Sequence, residues 1–104
     1  MLYNAVIISQ TLQYLNTIVM VEKTLVGKVT HYFSKIGVAV VELTDELKVG
    51  DPISIEGTTT NFQQKVSSMQ IEHNNVETAK PGDSIGLKVE DRVREGDKVY
   101  KLET

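Results

Sequence analysis

Three times in 104 residues the chain places Gly-Asp directly before a short run of alternating apolar residues. Val49-Gly50-Asp51-Pro52 precedes Ile53-Ser54-Ile55-Glu56, and Ala79-Lys80-Pro81-Gly82-Asp83 precedes Ser84-Ile85-Gly86-Leu87-Lys88-Val89. Glu95-Gly96-Asp97 precedes Lys98-Val99-Tyr100-Lys101-Leu102. Glycine takes positive φ without a Cβ clash, and an aspartate carboxylate accepts hydrogen bonds from backbone amides just ahead of it. The two-residue period after each turn puts Ile53 and Ile55, then Ile85, Leu87 and Val89, on one face of a strand. A chain punctuated this way folds as short strands with tight turns. These motifs specify architecture and carry no chemistry.

The totals agree with one modest core. Hydrophobic residues at 40% and charged residues at 24% describe an ordinary globular domain. A net charge of −3 argues against a nucleic-acid binder whose affinity rests on neutralising many phosphates, although a local basic patch stays open. The chain has no cysteine, so it has no disulfide, no thiolate nucleophile and no cysteine-based metal site. That fits a reducing compartment, and a cytoplasmic location is expected. No cofactor is expected either.

Residues Met1 to Val21 carry no charge. Ile8, Leu12, Leu15 and Val19 fall at helical spacing, but Asn4, Gln10, Gln13 and Asn16 interrupt the apolar run that a membrane span needs. A signal peptide is not expected, for want of a basic leading segment. Residues 1–19 read as an appended or mis-started extension, weakly structured, with Met20 as the natural start of a domain covering 20–104. A docking or oligomerisation helix is the rival reading.

From Leu25 the pattern is β. Strands are expected at Leu25–Thr30, Val38–Leu43, Ile53–Glu56, Phe62–Ile71, Ser84–Val89 and Lys98–Leu102. Ala39, Val41 and Leu43 should face inward, and Ser54 and Glu56 outward. The fourth strand changes phase, since Phe62, Gln64 and Val66 alternate one way and Met69 and Ile71 the other. One inserted residue near Ser67-Ser68 would reconcile them, so a β-bulge is expected there. Six short strands at close spacing favour a closed barrel over a sheet with exposed edges.

Two stretches carry a family resemblance. Val26-Gly27-Lys28-Val29 with Leu47-Lys48-Val49-Gly50-Asp51-Pro52-Ile53-Ser54-Ile55-Glu56-Gly57 resembles the opening half of the second domain of translational GTPases such as elongation factor Tu, elongation factor 1-alpha and initiation factor 2. Val66-Ser67-Ser68-Met69-Gln70-Ile71 through Ala79–Leu87 resembles that domain's later strands. The likeness runs over residues 25–102 in consistent order. The C-terminal barrel of collagenase-like peptidases is also similar, notably across Phe62 to Met69. The resemblance implies an all-β, six-stranded antiparallel Greek-key barrel of the elongation factor Tu domain 2 type. It further implies a non-catalytic, cytoplasmic module that contacts tRNA, rRNA or a translation protein. The alternative it implies is an accessory domain recruited to a peptidase-like enzyme. The GTPase domain of the full factors is absent, and Gly27-Lys28 lacks the upstream glycine of a phosphate-binding loop, so no GTP binding is expected.

Candidate binding residues sit in two loops and one strand end. Tyr32, Phe33 and Lys35 place aromatic rings beside a cation, which suits stacking with electrostatic attraction. The same rings could simply cap the barrel. Arg92 and Arg94 join Lys35 as a basic patch if the loops converge; with Asp91 and Glu95 beside them they equally describe a solvated charged loop. His31 and His73 lack the spacing of metal ligands and the neighbours of a nucleophile-activating base. The pair Glu72-His73 resembles the matching strand end in elongation factor 1-alpha-like barrels, which keeps His73 among the candidates.

Overall fold

The computed structural model describes residues 22–103. Every regular element is a β-strand, and every strand pairing is antiparallel. The strands are β1 (Glu22–Phe33), β2 (Val38–Leu43), β3 (Leu47–Lys48), β4 (Pro52–Glu56), β5 (Asn61–Lys65), β6 (Met69–Ile71), β7 (Asn74–Val76), β8 (Thr78–Ala79), β9 (Ser84–Lys88) and β10 (Lys98–Glu103). Eight form one sheet in the order β5-β4-β10-β1-β2-β9-β6-β7, while β3 and β8 pair separately. The expected extension 1–19 lies outside the described residues.

The sheet is rolled. β5 stands at one margin of the eight and β6 next to the other, yet only Val66-Ser67-Ser68 joins them. Four Cα steps reach at most ~15 Å. Six strand spacings in a flat sheet would separate them by about 29 Å. The margins must therefore curl towards each other. No strand ladder joins them, so the expected closed six-stranded barrel is corrected to a rolled, open eight-stranded sheet. The seam is bridged instead by one side chain. Gln64 on β5 donates from Nε2 to the Lys88 carbonyl at 3.0 Å and the Lys65 carbonyl at 3.1 Å, and its Oε1 accepts from the Glu90 amide at 2.8 Å. Gln64 is buried, at 8% exposure.

The phase change in the fourth expected strand has a different cause from the expected bulge. Phe62, Gln64 and Val66 do alternate out of step with Met69, but the chain changes partner at Val66–Ser68: β5 pairs with β4, and β6 pairs with β9. The bulges lie in β1 instead, where the register shifts between Leu25 and Gly27 against β10 and between Val29 and His31 against β2. Gly27 is needed at the first of these, because a Cβ there would lie 2.7 Å from the Val41 side chain and 2.9 Å from the Glu42 carbonyl. Small β3, β7 and β8 fall in segments whose sequence offers no alternation to read.

Each Gly-Asp turn is built alike. In Lys48–Asp51, Lys80–Asp83 and Arg94–Asp97 the third residue is glycine with φ of +96°, +93° and +93°. The aspartate amide donates back to the first carbonyl at 3.0–3.1 Å, which is the type II pattern. The aspartate Oδ2 accepts from the first residue's amide at 2.8–2.9 Å. Each turn then grips one buried residue on, or just past the end of, another strand. Gly50, Gly82 and Gly96 donate to the carbonyls of Val66, Leu43 and Val29, and those residues' amides donate to the carbonyls of Asp51, Asp83 and Asp97, all at 2.8–2.9 Å. Asp97 is itself 4% exposed, with its carboxylate against Gly57, where any Cβ would overlap Oδ1.

The core is apolar and continuous. Val26 and Val29, Ala39, Val41 and Leu43, Ile53 and Ile55, Ile85 and Leu87, Met69, Val93 and Val99 are all buried. The inward phases of β2, β4 and β9 are those expected, with one correction: Ser54 is buried rather than outward. Its hydroxyl donates to Glu56 Oε2 at 2.8 Å, which satisfies a polar group that burial would otherwise penalise.

Candidate docking groove and arginine hollow

Over Val38–Val41, β2 is apolar on both faces, with Glu42 exposed beyond. Ala39, Val41 and Leu43 fill the core, whereas Val38 and Val40 point the other way and are half-buried. The strand pairings put Phe33 and His31 beside them on β1, Gly86 beside Val40 on β9, and Gln70 beside Gly86 on β6. Since Gly86 has no side chain, this outer face sinks into a groove of about 300 Å³. Phe33 and Ile36 form one wall, and Gln70, Glu72 and His73 the other. Phe33 is 48% and Ile36 60% exposed.

The walls are held in place. Turn residues 34–37 are fixed by amides of Ile36 and Gly37 donating to the Phe33 carbonyl at 3.2 and 3.0 Å, and by Lys88 Nζ donating to the Ile36 carbonyl at 2.7 Å. The His31 ring meets Phe33 edge-on with centroids 4.4 Å apart, and its Nδ1 lies 3.3 Å from Glu95 Oε2. On the far wall, Glu72 and His73 both have positive φ, 51° and 69°. A two-residue hairpin turn between β6 and β7 demands that conformation, which is uncommon for residues other than glycine and more readily taken by histidine than by glutamate.

Of the expected site residues, Phe33 and His73 face each other across this groove. Tyr32 packs partly against the core and shares a shallow hollow with Phe33, Lys35 and Ile36. Arg92 and Arg94 line a separate hollow of about 230 Å³ with Thr59, Thr60, Asn61, Phe62 and Asp91. The sequence reading missed Ile36, Val38, Val40, Gln70 and Gly86. A signal was present, since alternating apolar residues on the second face of β2 imply that this face too is meant to be covered. Among the described residues, no three His, Asp or Glu side chains come together as a metal site. No helix there is long and apolar enough to cross a membrane.

No family model matches the chain. It is 47% identical over 78 residues to an uncharacterised protease of Methanocaldococcus jannaschii, covering 74% of this chain and 19% of that protein. It is 43% identical over 84 residues to a collagenase of Porphyromonas gingivalis, covering 79% of this chain and 23% of that one. The chain thus spans about a fifth of the length of these curated relatives. Among solved structures it is similar to the C-terminal domain of a Geobacillus thermoleovorans protein assigned as a U32 peptidase, with TM-score 0.70, 23% identity and coverage of 73% of this chain and 96% of that domain. A GDP-bound initiation factor 5B from Aeropyrum pernix aligns with TM-score 0.52 and 17% identity over 89% of this chain and 17% of that one. At these identities the structural likenesses speak for the fold alone. The expectation of a translation module that binds tRNA or rRNA is corrected: the close sequence relatives are named as protease and collagenase, and the translation factor shares only the architecture.

Proposed function

We propose that this chain acts as an accessory domain of a U32-type peptidase, contributing binding rather than bond cleavage. The observation that carries this reading is the match to an isolated C-terminal peptidase domain over 96% of that domain's length, joined to 47% identity with a named protease. A peptidase region is the partner, and the groove lined by Phe33, Ile36, Val38 and Val40 is the surface that receives it. Apolar residues concentrated at the centre of a patch, with polar residues at its rim, are the usual make-up of such a contact. We read the rolled sheet, on the same grounds, as an opened relative of the six-stranded Greek-key barrel.

The test is co-purification of the tagged full chain with the four fifths of the Methanocaldococcus protease that it does not match. Retention by the native chain and loss with Ile36→Asp is the expected result. Gly86→Leu gives an independent probe, because a Cβ at Gly86 meets Val38 Cγ1 at an ordinary 3.5 Å and the longer side chain fills the groove without entering the core. Absence of association at micromolar concentrations, or association indifferent to both substitutions, overturns the reading.

A further inference from the structure

The arginine hollow is not needed by the docking groove, and its construction points to a ligand of its own. Between Asp91 and Glu95, Val93 is buried while Arg92 and Arg94 on either side of it are exposed, and both line the hollow. The Arg94 amide is anchored by the buried Asp97 carboxylate at 2.8 Å, and the Arg92 amide by Asp91 Oδ1 at 2.7 Å. The opposite wall is the turn before β5, tied by the Gly57 amide to the Thr60 carbonyl at 2.8 Å, and it presents Thr59, Asn61 and the half-buried Phe62 ring. Ion pairs among the described residues are Lys23–Glu56, His31–Glu95 and Lys101–Asp51, so neither guanidinium is paired there. In a chain of net charge −3, two unpaired arginines in one concave site form a local exception.

We infer that this hollow binds a carboxylate, and specifically the free C-terminal carboxylate of a peptide. Two guanidinium forks match a planar carboxylate in geometry and charge. With Asp91 in the wall the hollow carries a net single positive charge, which complements a monoanion better than a phosphate dianion. Phe62 offers an apolar surface for the side chain of the terminal residue. The inference rests on the peptidase reading only for the source of the ligand, since cleavage of a peptide bond creates a new carboxylate. The site itself stands on the residues above.

The experiment titrates the full chain, labelled with nitrogen-15, with N-acetyl-alanyl-phenylalanine as the free acid and as the C-terminal amide, and separately with inorganic phosphate. Amide resonances of Thr59–Phe62 and Asp91–Glu95 should shift with the acid, which should bind on the order of tenfold more tightly than the amide. Arg92→Gln and Arg94→Gln should each weaken the acid by a similar factor. Arg94→Lys should restore only part of it, because a lysine supplies charge without the planar fork. Both arginines are exposed, and unchanged resonances elsewhere verify that the variants are folded. Equal binding of acid and amide, or shifts outside the hollow, overturns the inference. Phosphate binding more tightly than the acid reassigns the hollow to phosphate and overturns it as well. None of these outcomes depends on whether the chain associates with a peptidase, so the two proposals fail independently.

Discussion

Replacing Gln64 by methionine tests whether one amide holds the rolled sheet together. Methionine keeps the length and volume of the side chain, so little cavity cost arises. It removes two donated hydrogen bonds and one accepted bond, and it leaves the Lys88 carbonyl and the Glu90 amide without their partner. At a net ~1 kcal/mol for each bond, the loss is about 3 kcal/mol. For a domain of this size that lowers the melting temperature by roughly 12–24 °C. Urea and thermal denaturation followed by circular dichroism measure it, with Gln63→Met on the exposed face of the same strand as the control. Gln64→Glu separates hydrogen bonding from packing. Its carboxylate faces two carbonyls, so its pKa is raised, and the variant should regain stability as pH falls and the protonated acid can donate again. A Gln64→Met protein within 0.5 kcal/mol of the native chain, or a Gln64→Glu protein with no recovery in acid, would refute the account of the seam.

Three further outcomes follow from particular contacts. Gly82→Ala should cost about 1–2 kcal/mol through backbone strain alone, because φ is +93° and nothing lies within 4 Å of the added methyl; a neutral result in urea denaturation contradicts the turn geometry. Gly57→Ala should cost more than Gly82→Ala, since its Cβ displaces the buried Asp97 carboxylate from the turn it caps, and comparison of their urea midpoints decides it. Glu56 concerns pH: partial burial raises its pKa, but hydrogen bonds from Lys23 and Ser54 and the charge of Lys23 outweigh that and hold it below the ordinary glutamate value. A depressed folded pKa contributes stability above the unfolded value that is lost as pH falls through the folded one. Lys23→Met should therefore flatten the acid limb of the stability profile below about pH 5, and a limb as steep as the native one counts against the pairing.

Much of the frame was legible because its signals are local. The inward phase of β2 and the turns before β4, β9 and β10 follow from alternation and from Gly-Asp chemistry, which need no knowledge of distant residues. The phase defect between Phe62 and Ile71 was legible as a defect, but its cause was not. A bulge and a change of partner leave the same trace in one strand, and only the neighbouring strands tell them apart. Buried Ser54 escaped for a similar reason, since its partner Glu56 shares its strand while the burial comes from elsewhere. The candidate site was half legible. Phe33 declared itself by residue type, but the groove exists because Gly86, Val38 and Val40 come side by side through pairings between strands. Arg92 and Arg94 were legible as a pair and not as a hollow, because the opposite wall comes from residues 59–62.

The three turn clamps also bear on how the chain finds its fold. Gly96 and Asp97 reach Val29, Gly82 and Asp83 reach Leu43, and Gly50 and Asp51 reach Val66. In sequence these closures are nested, the last inside the second and the second inside the first. Loop closure costs entropy that grows with the length still free, so once the innermost clamp has formed, each outer one spans only the chain left open around it. The chain thus has a zippering order written into it, from the Gly50 turn outward. With the strain of Gly→Ala comparable at the two turns, Gly50→Ala should mainly slow folding and Gly96→Ala mainly speed unfolding in stopped-flow measurements. The motif repeated through the sequence would then set a sequence of events as well as a shape.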